Sequence, residues 1–124
     1  AGMNLNNSNP EDIARAMVEG MLAGLADAVD SLVALGVGVN RILLIGGAAK
    51  NPAIPVIASA LFGREVLVPP AGEYVADGAS KQAAWALLGN MPTWDLGEVT
   101  HHNSVATPDV MAKYKELKNN TTNW

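Results

Sequence analysis

Between two groups of turn residues stands Arg41-Ile42-Leu43-Leu44-Ile45, a run without polar alternation that closes on Gly46-Gly47. A strand that is apolar on both sides has to be covered on both sides, the condition of a parallel sheet with helices packed on it. The following residues fit that frame. Asn51-Pro52 opens a helix through Ile54, Ile57, Ala58 and Leu61 to about Phe62, with Gly63 as its stop. Pro55 falls in its first turn, where proline is tolerated. Glu65 to Val68 is a second short strand, Pro69-Pro70-Ala71-Gly72 a rigid loop, and a further helix runs from about Val75 to Leu88. The order β-α-β-α predicts an α/β fold with a right-handed parallel crossover. Two strands do not make a stable sheet, so the sheet is expected to continue in residues outside this chain or in a partner.

A long helix precedes the first strand. Asn9 is a good N-cap, Pro10 suits the first helical position, and Asp12 stands where a capping-box acid belongs. Ile13, Met17, Met21, Leu25, Val29 and Leu32 recur at spacings of three and four, and Gly36 follows as a stop, which predicts one amphipathic helix over 10–35. Gly20 and Gly24 each cost about 1 kcal/mol relative to alanine inside it, and close packing against a neighbour is the plain reason to keep them. Met17, Met21 and Met91 are expected to fill gaps in the core, and Trp85 and Trp94 to anchor packing. After Asn90 the chain turns polar, with Pro92, Trp94, Pro108 and Trp124, and reads as a tail lying over the domain. Thr107, Pro108 and Asp109 cap a short helix through Met111, Tyr114 and Leu117. The organisation is thus an edge at 1–9, a domain portion at 10–89 and a tail at 90–124.

Composition removes several classes of function. With no cysteine among 124 residues there is no disulfide, thiolate metal site or cysteine nucleophile. His101 and His102 are adjacent on polar, extended chain and point to opposite faces, a poor arrangement for one metal ion. A net charge of −4 with eight scattered basic residues argues against a nucleic-acid or membrane-surface footprint. The start lacks the regions of a signal peptide and no apolar run reaches the ~20 residues of a membrane span, so a cytoplasmic protein is expected. Charged residues are only 16%, below the ~25% of ordinary soluble domains, as if part of this surface faced other protein.

Chemistry concentrates in Ile45-Gly46-Gly47-Ala48-Ala49-Lys50-Asn51-Pro52. Two glycines at the carboxyl end of a parallel strand admit a sharp turn and the close approach of a flat ligand, and the next helix offers unpaired N–H groups. The segment extends into neither G-x-x-x-x-G-K-[ST] nor G-x-G-x-x-G, which argues against a P-loop or a dinucleotide fingerprint. Without a ligand, Gly46-Gly47 would be a tight turn and Asn51 an N-cap. Lys50 reads as a solvated lysine, with phosphates as its alternative partner. Glu19 reads as a structural polar partner, Asp77 as an exposed helical residue, and Gly78-Ala79 as room for close helix packing.

Three blocks, in order, resemble the C-terminal domain of the FGGY family of carbohydrate kinases. They are Ala14-Arg15-Ala16-Met17-Val18-Glu19-Gly20, the Ile45–Pro52 segment, and Gly72-Glu73-Tyr74-Val75-Ala76-Asp77-Gly78-Ala79-Ser80-Lys81-Gln82-Ala83-Ala84-Trp85. The last is most similar to the actinobacterial xylulokinases of that family, and the likeness spans about residues 10–88. It implies a partial actin-like (ribonuclease-H-like) ATPase domain, its C-terminal portion, with a long helix, two short parallel strands and covering helices. It further implies a phosphotransferase that moves the γ-phosphoryl of ATP, with Mg²⁺, to a sugar hydroxyl, O5 of D-xylulose in that branch. By correspondence Gly47 packs on the nucleotide and Asn51 bonds adenine, with Gly46 and Ala48 shaping the pocket, although many relatives carry a third small residue and a serine in this turn. The family's catalytic aspartate, sugar contacts and amino-terminal phosphate loop belong to segments upstream, so no catalytic or metal-binding residue is assigned here and the chain alone is expected to be inactive. Expected partners are ATP or ADP, a sugar held mainly by the other domain, and the rest of the kinase chain. Ribulose, gluconate or glycerol are alternative substrates. A non-enzymatic actin-like nucleotide-binding or assembly module, and a binding domain that completes its sheet as a homodimer, are alternative classes.

Overall fold

The computed structural model describes residues 2–121. Helix α1 spans Pro10–Ala34. Its start is capped reciprocally: Asn9 Oδ1 accepts the Asp12 N–H at 2.8 Å, and Asp12 Oδ2 accepts from Asn9 Nδ2 at 2.8 Å. Leu35 closes the helix and Gly36 leaves it at φ 85°. Strand β1, Ile42–Leu43, leads into a 3₁₀ turn at Gly47–Lys50 and then helix α2, Ala53–Phe62, which ends on left-handed Gly63. Strand β2 is Val66–Val68 and helix α3 Tyr74–Leu88. Strand β3, Thr100–His102, and helix α4, Pro108–Thr121, complete the chain. Among the described residues no helix is long and apolar enough to cross a membrane.

The sheet order is β1-β2-β3. Strands β1 and β2 pair in parallel, Ile42 opposite Val66, and the Leu44 N–H extends the ladder to the Leu67 carbonyl at 2.9 Å. Strand β3 pairs antiparallel with β2, Val66 opposite His102 and Val68 opposite Thr100. The expectation that further strands must come from elsewhere is therefore corrected at one edge, where the polar tail supplies a strand itself. On the other edge β1 has no neighbour among the described residues. The extended backbone at 100–102 carries His101 to Glu65, with Nδ1 and Oε1 3.0 Å apart, and His102 to Thr100.

Helix α2 is the centre of the packing. It rests on β2 and is covered by α1 and α4. Leu22, Ile57, Ala58, Leu61 and Val66 form the buried core, with Val18, Ile42, Leu44, Phe62, Val68, Val110 and Met111 packed around it. Fully burying a side chain of leucine size contributes about 1.5–3 kcal/mol, so this short list accounts for much of the stability. Ser59, also buried, donates its hydroxyl to the Val56 carbonyl at 3.0 Å.

The face of α1 that is buried differs from the expected one. Leu22, Ala23 and Ala26 are inside, while Met17 is 72% exposed and Ile13, Met21, Leu25 and Leu32 are exposed with it. The helix carries two adjacent apolar stripes, and one small sheet with one helix layer covers only one of them. The same shortage leaves Met91, Trp85 and Trp94 exposed rather than in the core. None of the 15 residues of α3 is buried, and a Cβ on Gly78 would meet nothing, so the close packing expected there does not form within this chain. Gly24 does meet a neighbour, since a Cβ there would lie 3.7 Å from Tyr114 Oη of α4, whereas a Cβ on Gly20 would meet nothing. Arg15 and Glu19 form an ion pair one turn apart at 2.6 Å, the structural role expected of Glu19. Trp124 lies outside the described residues.

Candidate functional site

The carboxyl ends of β1 and β2 point the same way, and in α/β folds the space beyond such ends is where ligands bind. Here that space is a cavity of about 740 Å³, within the ~300–1,000 Å³ of small-molecule sites. One wall is the β1 end and turn, from Leu44 through Gly47 with Ala49 and Lys50. The facing wall is the loop after β2, Val68 to Tyr74.

Local bonding explains the shape of the first wall. Gly46 sits at φ 97°, ψ −179°, a conformation essentially reserved for glycine, and there the chain leaves the sheet. The 3₁₀ turn then closes through Ala49 N–H to the Gly46 carbonyl at 3.2 Å and Asn51 N–H to the Ala48 carbonyl at 3.1 Å. Asn51 Oδ1 accepts the Ala53 N–H at 3.0 Å, and the Asn51 carbonyl accepts from Ile54 at 3.1 Å. Asn51 therefore does cap the start of α2, with its side-chain oxygen committed and its Nδ2 group left as a donor.

Gly47 differs from Gly46. Its backbone is not in the left-handed region, and a Cβ there would meet nothing within 4 Å. Neither the turn nor the packing of this chain requires glycine at 47. The space left open at Gly47 adjoins the cavity that this residue lines.

Of the four residues singled out in sequence, Gly46 and Gly47 line the cavity, and Ala48 and Asn51 do not. Lys50 lines it too, as its one cationic side chain, and Glu73 is its one carboxylate. The second wall, Pro69 to Tyr74, was read from sequence only as a rigid loop. The signal was present, because the third family-like block begins at Gly72. Among the described residues no three histidine, aspartate or glutamate side chains gather to hold a metal ion. Among the described residues the cavity presents a single carboxylate, Glu73, so its lining does not by itself fit Mg²⁺.

A cleft between a Gly-Gly turn and a loop at the carboxyl ends of parallel strands is a place where α/β domains bind ligands. Residues 1–87 match the family described as "FGGY family of carbohydrate kinases, C-terminal domain". The chain belongs to that family. Among solved structures it is similar to the xylulose kinase from Bifidobacterium adolescentis, with a TM-score of 0.73 and 39% identity over 95% of this chain. It spans 24% of the length of that kinase. No curated protein matches it.

Proposed function

We propose that this chain is the adenine-nucleotide side of a sugar kinase. The longer protein would transfer the γ-phosphoryl of ATP to O5 of D-xylulose, giving D-xylulose 5-phosphate and ADP. The observation that carries the nucleotide role is Gly47, a glycine that its own chain does not need, on the wall of a cavity at the carboxyl ends of two parallel strands. The sugar assignment rests on the 39% identity to a xylulose kinase.

In this reading Gly46 turns the chain out of the sheet and Gly47 lets the nucleotide lie against backbone. Asn51, next in sequence to the lining residue Lys50 though not itself on the lining, would offer Nδ2 to adenine, its Oδ1 being engaged by Ala53. The residues that hold the sugar, and the base that takes the proton of its attacking hydroxyl, would belong to the rest of the kinase, and Mg²⁺ would come with the phosphates of ATP. The family match is to carbohydrate kinases, so no observation favours the non-enzymatic alternative.

Calorimetric titration of the full-length protein with ADP tests the nucleotide role. Gly47→Leu fills the cavity from a position that tolerates a side chain, so affinity should fall at least about tenfold, ~1.4 kcal/mol, with an unchanged melting temperature. Wild-type affinity in the folded variant would overturn the reading. A panel of D-xylulose, ribulose, gluconate and glycerol with ATP tests the sugar, and absence of turnover with D-xylulose would remove that assignment.

A further inference from the structure

The second wall of the cavity is built to hold its shape. Pro69 is buried, and two consecutive prolines have φ fixed by their rings. Tyr74 donates its hydroxyl to the Pro70 carbonyl, which ties the start of α3 back over the loop. Gly72 lies against the tyrosine ring, where a Cβ would stand 3.5 Å from Cζ. From the tail, Gly97 (φ 75°) braces the other side so closely that a Cβ would come within 3.2 Å of Pro70 Cγ. No residue of α3 is buried, so these contacts at its start are what tie the helix to the cavity wall.

We propose that the Pro69–Tyr74 loop is the second binding wall of the nucleotide site, with Tyr74 as a ligand-contacting residue opposite Gly46-Gly47. This rests on the nucleotide reading above and adds to it a residue outside the Gly-Gly turn. The opposed walls match a nucleotide's form: bare backbone on one side admits a flat group, and an aromatic ring with a fixed hydroxyl on the other holds it. Lys50, the single cation on the lining, suits the anionic end of a nucleoside diphosphate.

Hydrogen exchange of the full-length protein, with and without ADP, separates the two ideas. ADP should slow exchange of the amides at 71–74 together with those at 44–50. Protection of 44–50 alone would overturn the second wall and leave the nucleotide reading standing; protection of neither would overturn both. Tyr74→Ala should weaken ADP binding about tenfold, in the range of one lost aromatic contact, without changing the apparent KM for the sugar. Tyr74→Phe keeps the ring and loses the tie to Pro70, so it should cost threefold or less. Should Tyr74→Ala fail to fold, the exchange pattern decides. Wild-type ADP affinity in folded Tyr74→Ala, beside a weakened Gly47→Leu, would sink the proposal.

Discussion

Lys118 Nζ lies 2.6 Å from Asp27 Oδ2, joining α4 to α1 through residues 91 apart in the chain, and Lys115 repeats the contact on Asp30 at 2.7 Å. The two ion pairs hold α4 along α1, next to the close approach of Tyr114 to Gly24. Hydrogen bonding to Asp30 and Asp27, followed by their charge, raises both lysines above the ordinary lysine value.

A pH dependence follows from that direction. A lysine whose value is raised on folding stabilises the fold fully below its unfolded value of 10.5 and loses the contribution as pH rises through the raised one. The double variant Lys115→Gln/Lys118→Gln should therefore be slightly less stable than wild type at about pH 8 and converge on it as pH rises above the raised lysine values. Because both pairs are exposed, the difference should also shrink in about 1 M salt. Urea midpoints across pH and salt check this, and a gap that persists at high pH would assign the effect to lost packing.

The adjacent glycines should respond in opposite ways. Gly46→Ala forces a side chain into a glycine-only conformation and should cost about 1–3 kcal/mol. Gly47→Ala meets no such strain and should be neutral or stabilising by about 0.4–1 kcal/mol. Thermal melts of the two variants decide whether the turn makes both demands or one.

Asn51 can be divided into its two roles. Asn51→Ala removes the Oδ1 cap on Ala53 and should cost about 1 kcal/mol of stability. Asn51→Asp keeps the cap oxygen and loses the Nδ2 donor, so it should hold stability while weakening ADP binding. Stability and ADP titration measured on both variants would show a cap alone if Asn51→Asp bound ADP normally.

In the core, Leu22 is 1% exposed among Ile57, Ala58, Leu61 and Val66, and Leu22→Ala should cost about 2–5 kcal/mol. Met17→Ala, five residues earlier on the exposed stripe, should cost within about 0.5 kcal/mol in this chain. Measured in the full-length protein, a larger cost at Met17 would mean that this stripe is covered there.

Much of the framework could be read from local signals. Asn9-Pro10, Gly36, Gly63 and the unbroken apolar run before Gly46 mark the ends of α1, β1 and α2, because caps, glycine stops and doubly buried strands depend on a few neighbouring residues. The Gly-Gly turn was legible for the same reason. Strand β3 was not, since Thr100-His101-His102 has neither apolar alternation nor bulk and pairs only because β2 presents an open edge. Periodicity also marked the wrong face of α1: both stripes are apolar, and the choice between them was made by where α2 and α4 lie.

The site divides along the same line. By itself the sequence determined a β-turn-α unit with a glycine, Gly46, where the backbone must turn, and an asparagine that caps the next helix. Only the tertiary structure brought Pro69, Gly72 and Tyr74 across from Gly46 and Gly47, moved Ala48 and Asn51 off the cavity lining, and set Gly97 of the tail against Pro70. The reason is physical: turns and caps are decided by φ, ψ and hydrogen bonds within a few residues, whereas a cavity wall depends on which parallel strand lies alongside.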